Sequence, residues 1–239
     1  MSNITELKRK NRKGIFLGCG KSINDLSKEN IDKLHKEFDI WTSNSFMINQ
    51  EIIPDFYHLE VKPHRNGPLV RRITGNEYKR FENTKWILDI TRPYLTENFE
   101  LGKYKQENFY FYKKYYRKEL DGKYIPRKDS LGVSLNASLS LICDAIIKQN
   151  YEEFYFLGVD MDDSKYFWTD NPKYKDRLIE DIIKTCKPDE RKPDALHPTF
   201  KMKNFIKEIF ETNNQKAINL SRFSLLKDVI ETKEIGEVL

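Results

Sequence analysis

Cysteine is scarce in this chain and poorly placed for pairing. Cys19, Cys143 and Cys186 are odd in number and share no Cys-x-x-Cys spacing, which argues against a disulfide framework or a cysteine-built zinc ribbon and fits reduced thiols in a cytoplasmic protein. Histidine is too sparse for a metal centre: His35, His58, His64 and His197 are scattered, with no pair at ligand spacing. Long hydrophobic runs are missing as well. Nothing approaches the ~20 apolar residues that a bilayer span requires, and no hydrophobic stretch of a secretory signal follows the polar, basic residues 1–13. Nor is charge of one sign in large excess. The 42 Lys and Arg against 37 Asp and Glu leave +5, too mild and too interspersed to demand nucleic acid, yet enough for an anionic ligand of modest size.

What is present is an alternation of short apolar runs and helical periodicities over 239 residues, long enough for one good-sized domain, residues 1–239. Ile15, Phe16 and Leu17 between Gly14 and Gly18 suit a buried parallel strand that feeds a tight turn at Cys19 to Ser22. Ile31, Leu34 and Phe38 follow at helical spacing behind Ser27 as a cap, and Phe38 to Thr42 is apolar again. Further strands are expected around Asp55 to Leu59 and Lys85 to Ile90. A helix is expected from Gly132 to Gln149, where Leu135, Leu139, Ile142 and Ile146 share one face. Glu153 to Asp160 reads as a strand with its aspartate at the exit, the edge at which open α/β sheets bind ligands. A helix over 198–210, a short strand over 216–220 and a terminal helix from Leu225 complete the pattern. The class is α/β, a Rossmann-like domain with a mostly parallel central sheet. Residues 91–128, rich in Tyr, Phe and Lys, read as a lid or insertion rather than core sheet, with an ordinary surface helix pair as the alternative.

Three local patterns carry chemistry. Gly18-Cys19-Gly20-Lys21-Ser22 is a glycine turn after a strand, but a full phosphate loop needs a glycine five residues before Gly20, where Ile15 stands. A shorter turn of this kind fits a nucleotide monophosphate or diphosphate. Asp160-Met161-Asp162-Asp163 resembles the Asp-x-Asp that holds a divalent metal; carboxylates at a strand exit also serve as solvated loop residues or helix caps, and both readings stand. His197 precedes Pro198 at the entry to a helix, where an imidazole can act as a general base near neutral pH.

Taken together, residues 15–22, 38–46 and 151–160 with Tyr166 and His197 resemble the bacterial sialyltransferases of glycosyltransferase family 42, whose fold is a variant of the GT-A type. The resemblance implies transfer of a sialic-acid-type ulosonic acid from a CMP-sugar donor to a glycan acceptor of lipopolysaccharide or capsule type, with inversion and without a metal or other cofactor. It implies catalytic roles for His197 as base, Tyr166 at the leaving phosphate and Arg127 in the active site. The implied donor-binding set is Gly18, Cys19, Gly20, Lys21, Ser22, Asn44, Ser138, Gly158 and Asp160. Cys19 and Lys21 depart from the asparagine and proline of the family's turn, Asp162 stands near the family's second tyrosine position, and Ser134 and Asn136 compete with Ser138 for the serine that meets the sugar carboxylate.

Two other classes stay open: a pterin pyrophosphokinase-like enzyme using ATP and magnesium through Asp160 and Asp162, and a non-catalytic nucleotide-binding protein. Lys201, Lys203, Phe205 and Phe210 admit contact with a membrane bearing a lipid-linked acceptor, or the two faces of an ordinary amphipathic helix. The expected location is the cytoplasm, including the inner face of the membrane, and a homo-oligomer is left open.

Overall fold

The computed structural model describes residues 2–59, 78–89, 106–116, 130–133, 138–161, 166–175 and 198–239. The strands, in chain order, are β1 (Ser2–Asn3), β2 (Lys13–Leu17), β3 (Phe38–Ser43), β4 (Phe56–Leu59), β5 (Lys85–Asp89), β6 (Phe109–Tyr116), β7 (Ser130–Val133), β8 (Glu153–Leu157), β9 (Lys216–Asn219) and β10 (Glu231–Thr232). The helices are α1 (Lys28–Glu37), α2 (Ser138–Gln149), α3 (Pro198–Thr212) and the short α4 (Ile235–Val238).

The sheet runs β1-β6-β5-β4-β3-β2-β8-β9-β10, with β7 alongside β6, and its strand pairings are parallel. Apolar runs buried on both faces explain this: Ile15 and Leu17 of β2 join Tyr155 and Leu157 of β8 in the cluster that α1 covers with Leu34. Phe16, Phe154 and Phe156 point into the opposite cluster, filled by Ile142 and Ile146 of α2 and Phe205, Ile209 and Phe210 of α3. Residues two apart share a face and neighbours alternate, so one five-residue run serves two cores. α1 starts where a capping box sets it, with Ser27 and Asn30 bonded reciprocally.

Chain order fixes the functional edge. From β2 the sheet grows through β3, β4 and β5 in one direction, while β8, β9 and β10 extend in the other. The reversal falls between β2 and β8, paired from Lys13↔Glu153 to Leu17↔Leu157, and ligands of such sheets bind outside the carboxyl ends at this point.

Three expectations change. Residues 109–116 are a strand between β5 and β1, not part of a lid, because their aromatic side chains pack into the sheet: Phe109, Phe111 and Tyr112 are buried. The remainder of 91–128 apart from 106–108 lies outside the described residues. Gly132 belongs to β7, not to a helix; its N–H donates to the Asp144 Oδ2 at 2.8 Å, which pins β7 to α2. No long terminal helix begins at Leu225. Ser224 caps a single turn, Leu225–Asp228, after which β10 adds to the sheet and only α4 follows. In α3, Phe205 and Phe210 are core and Lys203 pairs with Asp228 at 3.0 Å, as in an ordinary amphipathic helix. No helix among the described residues is long and apolar enough to cross a membrane.

Candidate functional site

The turn over 18–22 leaves β2 beside residues 158–160, which leave β8, and the two exits are bolted together. Gly18 N–H donates to the Leu157 carbonyl at 2.8 Å and Gly20 N–H to the Gly158 carbonyl at 2.7 Å. The Ser22 N–H and hydroxyl reach Asp160 Oδ2 and Oδ1 at 3.1 and 2.6 Å, and the same hydroxyl accepts from Gly158 N–H at 3.0 Å. A third donor, the Ser221 hydroxyl, reaches Asp160 Oδ1 at 2.9 Å from the loop after β9. Asp160 is only 4% exposed. Three donors offset the cost of burying its charge, so this carboxylate is committed to bracing the turn.

The glycines permit that closeness. A Cβ on Gly20 would press into the Asp160 carboxylate and lie 2.8 Å from the Gly158 carbonyl oxygen. Gly158 itself has φ of 74°, a left-handed conformation that glycine adopts without steric cost.

Tyr166 reaches the same place from far along the chain. It forms an antiparallel bridge with Gly20, and Phe167 N–H donates to the Cys19 carbonyl at 2.9 Å. The half-buried Tyr166 ring lies 4.4 Å from that of Trp168. Asn24 Nδ2 holds the Phe167 carbonyl at 2.9 Å. Buried Phe167 in turn meets Phe46 with ring centroids 5.7 Å apart, which ties this loop to the turn after β3.

That turn opens with Asn44, half-buried and at φ of 45°, a region that asparagine tolerates better than most residues. The Tyr57 hydroxyl donates to the Asn44 carbonyl and accepts from Met47 N–H at 3.1 Å, so the strained residue is clamped. Because Leu17 pairs with Thr42, Asn44 and the glycine turn leave adjacent strands at the same level.

Of the expected site residues, the structure therefore gathers Gly18, Cys19, Gly20, Lys21, Ser22, Gly158, Asp160 and Tyr166 at one strand-end crevice, with Asn44 at the neighbouring strand end. Lys21 is exposed and Cys19 half-buried. Ser138 opens α2, half-buried. His197, Arg127, Asp162, Asp163, Ser134 and Asn136 lie outside the described residues. Among the described residues no group of three or more His, Cys, Asp or Glu is placed to hold a metal ion. Sequence reasoning missed Ser221 and Ser224, both buried; Ser224 donates its hydroxyl to the Val159 carbonyl at 2.5 Å. Their signal was a pair of serines just past the last core strand.

No protein-family model matches the sequence and no curated protein is similar to it. The fold is nevertheless similar to solved glycosyltransferases. The α-2,3-sialyltransferase Cst-I from Campylobacter jejuni aligns at a TM-score of 0.56 with 13% identity, over 96% of this chain and 82% of that one. The sialyltransferase CstII from Campylobacter jejuni, solved with the substrate analogue CMP-3FNeuAc, aligns at 0.55 with 13% identity, over 93% and 87%. The MAf glycosyltransferase from Magnetospirillum magneticum aligns at 0.58 with 15% identity, over 100% of this chain but only 36% of that one. The chain has a sialyltransferase-like fold.

Proposed function

We propose that this chain is a glycosyltransferase that moves a sialic-acid-type ulosonic acid from a CMP-sugar to a glycan acceptor. The observation that carries the reading is the convergence at the sheet's switch point: the glycine turn, Tyr166 bridged to Gly20, and Asn44 held left-handed at the adjacent strand end. The likeness in fold to sialyltransferases, one of them solved with a CMP-sugar analogue, supports it.

In the proposed mechanism the residues around Gly20 receive the nucleotide, and Asn44 orients it. His197 accepts the proton of the acceptor hydroxyl as that oxygen attacks the anomeric carbon. The bond from the anomeric carbon to the phosphate oxygen breaks with inversion, and CMP leaves with the bonding pair. The Tyr166 hydroxyl, with Lys21 and Arg127 as cations, stabilises the charge that develops on the departing phosphate. A monophosphate leaving group presents one phosphoryl unit, so hydroxyl and cationic donors suffice without a metal clamp. The commitment of Asp160 to Ser22 and Ser221 removes one of the two carboxylates on which a magnesium-dependent pyrophosphokinase reading would draw.

A thermal-shift panel of CMP, CDP, UDP, ADP and ATP, each with and without magnesium, tests the assignment. CMP at about 100 times its Kd stabilises the folded state by ~2.7 kcal/mol, which at this chain length raises Tm by roughly 5 to 10 °C. The expected result is that shift for CMP, independent of magnesium. Stabilisation by ATP alone, and only with magnesium, would overturn the reading.

A further inference from the structure

A cavity of about 160 Å³ is built by the segments that leave β2, β3 and β8, with Ile23, Leu26, Ile31 and Ile52 as its apolar walls. Its polar lining divides into groups that are spent and groups that are not. Asn171 Nδ2 donates to Asn24 Oδ1 at 3.0 Å, Asn24 Nδ2 to the Phe167 carbonyl at 2.9 Å, and Asn171 Oδ1 accepts from Lys173 N–H at 3.1 Å. Those two amides lock the rim. Asn49 and Tyr174, each 4% exposed, differ. Asn49 Oδ1 accepts from the Glu51 and Ile52 N–H groups at 3.0 and 3.1 Å, which fixes the amide orientation and leaves Nδ2 as its free end. Neither that Nδ2 nor the Tyr174 hydroxyl has a hydrogen-bond partner among the described residues, and neither is sealed among core atoms. Both residues line the cavity, so two donors open into it unmet, a costly arrangement that a ligand would relieve.

The third free group is a carboxylate oxygen. Glu51 pairs through Oε2 with Lys173 at the mouth, and its Oε1 has no partner among the described residues. Burial and the Glu51 charge push the Tyr174 phenol up to about 12, which keeps it a donor at neutral pH. Arg80 Nη2 donates to the Asn49 and Ile52 carbonyls at 2.5 and 3.1 Å, so the wall over 49–52 is set before a ligand arrives.

Size and pattern select the occupant. A cavity of ~150 Å³ accommodates one benzene-sized ring. A pyranose carries hydroxyls around its whole rim and would press some of them, unmet, against the isoleucines. A flat heterocycle keeps its polar atoms on one edge. Two neutral donors and a carboxylate call for an edge with two acceptors and one amino group, which is the edge of cytosine; a carboxylate accepts well from its N4. Uracil has a carbonyl oxygen there, which the Glu51 carboxylate repels. Position agrees with this choice. Asn24 lies four residues beyond Gly20 through the 3₁₀ turn Lys21–Asp25, and Asn49 five beyond Asn44 through the turn Asn44–Ile48, about 8 and 10 Å at ~2.0 Å per residue. A nucleotide with its phosphate at the glycine turn covers such a distance to its base.

We propose that this cavity is a cytosine site, in which Glu51 accepts from the exocyclic amino group while Asn49 Nδ2 and the Tyr174 hydroxyl donate to the ring's two acceptors. Two sources supply such a ring: the base of the CMP-sugar, an assignment that rests on the transferase reading, and a free nucleoside, which does not need it.

Calorimetry with cytidine, uridine and CMP, on wild type, Glu51→Gln and Tyr174→Phe, tests the site. Wild type is expected to bind cytidine at least about tenfold more tightly than uridine. Tyr174→Phe should weaken cytidine about tenfold, the scale of one hydrogen bond, and Glu51→Gln should bring the two nucleosides within about twofold. Tyr174→Phe deletes only an unpartnered oxygen, so its Tm should equal that of wild type; a lowered Tm would show the hydroxyl already bonded in the fold and overturn the site. With the base of CMP as source, CMP and cytidine exclude each other and both variants weaken CMP; with a free nucleoside as source, cytidine binds while CMP is saturating. Equal affinity of wild type for cytidine and uridine, or a preference unchanged in Glu51→Gln, overturns the cytosine site even where CMP binds and Asn44→Ala weakens it. Absent CMP binding with the cytidine preference intact overturns the transferase reading alone. Binding of methyl β-galactopyranoside in place of cytidine, weakened by Tyr174→Phe, would make the cavity a sugar site and also overturns the proposal.

Discussion

Asp160 is nearly closed to solvent yet accepts from Ser22 twice and from Ser221 once. An ion in that position is costly unless donors surround it, and these three residues come from three loops, so one side chain sets the relative position of the exits from β2, β8 and β9. Gly20 is the sensitive partner. Gly20→Ala drives a methyl group into that carboxylate, and overpacking of this kind costs about 1 to 3 kcal/mol. A melt should show Tm lowered by roughly 2 to 12 °C, accompanied by weaker CMP binding. An unshifted Tm would mean that the turn yields. His197 is tested differently. His197→Ala should lower kcat by about 10²- to 10⁴-fold while CMP affinity by calorimetry stays nearly constant, and the wild-type rate should fall on the acid side, because a protonated imidazole cannot accept the acceptor's proton. Full transfer activity in a folded His197→Ala protein would rule out this histidine as the base.

At the scale of elements, β8 illustrates how a central strand contributes to pH dependence. Tyr155 hydroxyl donates to Glu153 Oε2 at 2.7 Å, and this bond, helped by Lys13 and Lys216, holds the Glu153 carboxyl below its ordinary value of 4.5. A depressed folded-state value binds fewer protons than the unfolded chain does. The contribution to stability is therefore present above about pH 4.5 and is lost as the pH falls through the folded value. Tyr155→Phe should move the Glu153 titration, followed by carboxyl-carbon NMR, up towards 4.5; no movement would assign the depression to the lysines. Elements also mark where the sequence was legible. β2, β3 and β8 announce themselves because strands buried on both faces are apolar throughout, and α1 because Ser27 caps it. β6 does not, because Lys113 and Lys114 interrupt its aromatic run and only pairing with β5, β1 and β7 makes it a strand. The segment from Leu225 misleads because its apolar spacing looks helical, whereas the cap at Ser224 supports just one turn before β10 pairs with β9.

On the scale of the whole molecule, the direction in which the sheet is wound decides where chemistry occurs. The reversal between β2 and β8 puts two loops, distant in sequence, at one crevice, and the loop carrying Tyr166 closes against it through Gly20. The glycine turn and the aspartate at a strand exit were readable from sequence, since both are residue types confined to strand ends in an apolar context. The role of Asp160 as a brace was not, because its donors Ser22 and Ser221 are 138 and 61 residues away and no local pattern links them. The account stands on a nucleotide monophosphate in this crevice, and CMP is common to every donor under consideration. Calorimetric titration of CMP in EDTA, into wild type and Asn44→Ala, is the most direct measurement. The account predicts saturable one-to-one binding by the wild type and at least about tenfold weaker binding by Asn44→Ala, roughly the 1.4 kcal/mol of one lost contact. No heat from CMP, or equal affinity in both proteins, would contradict it.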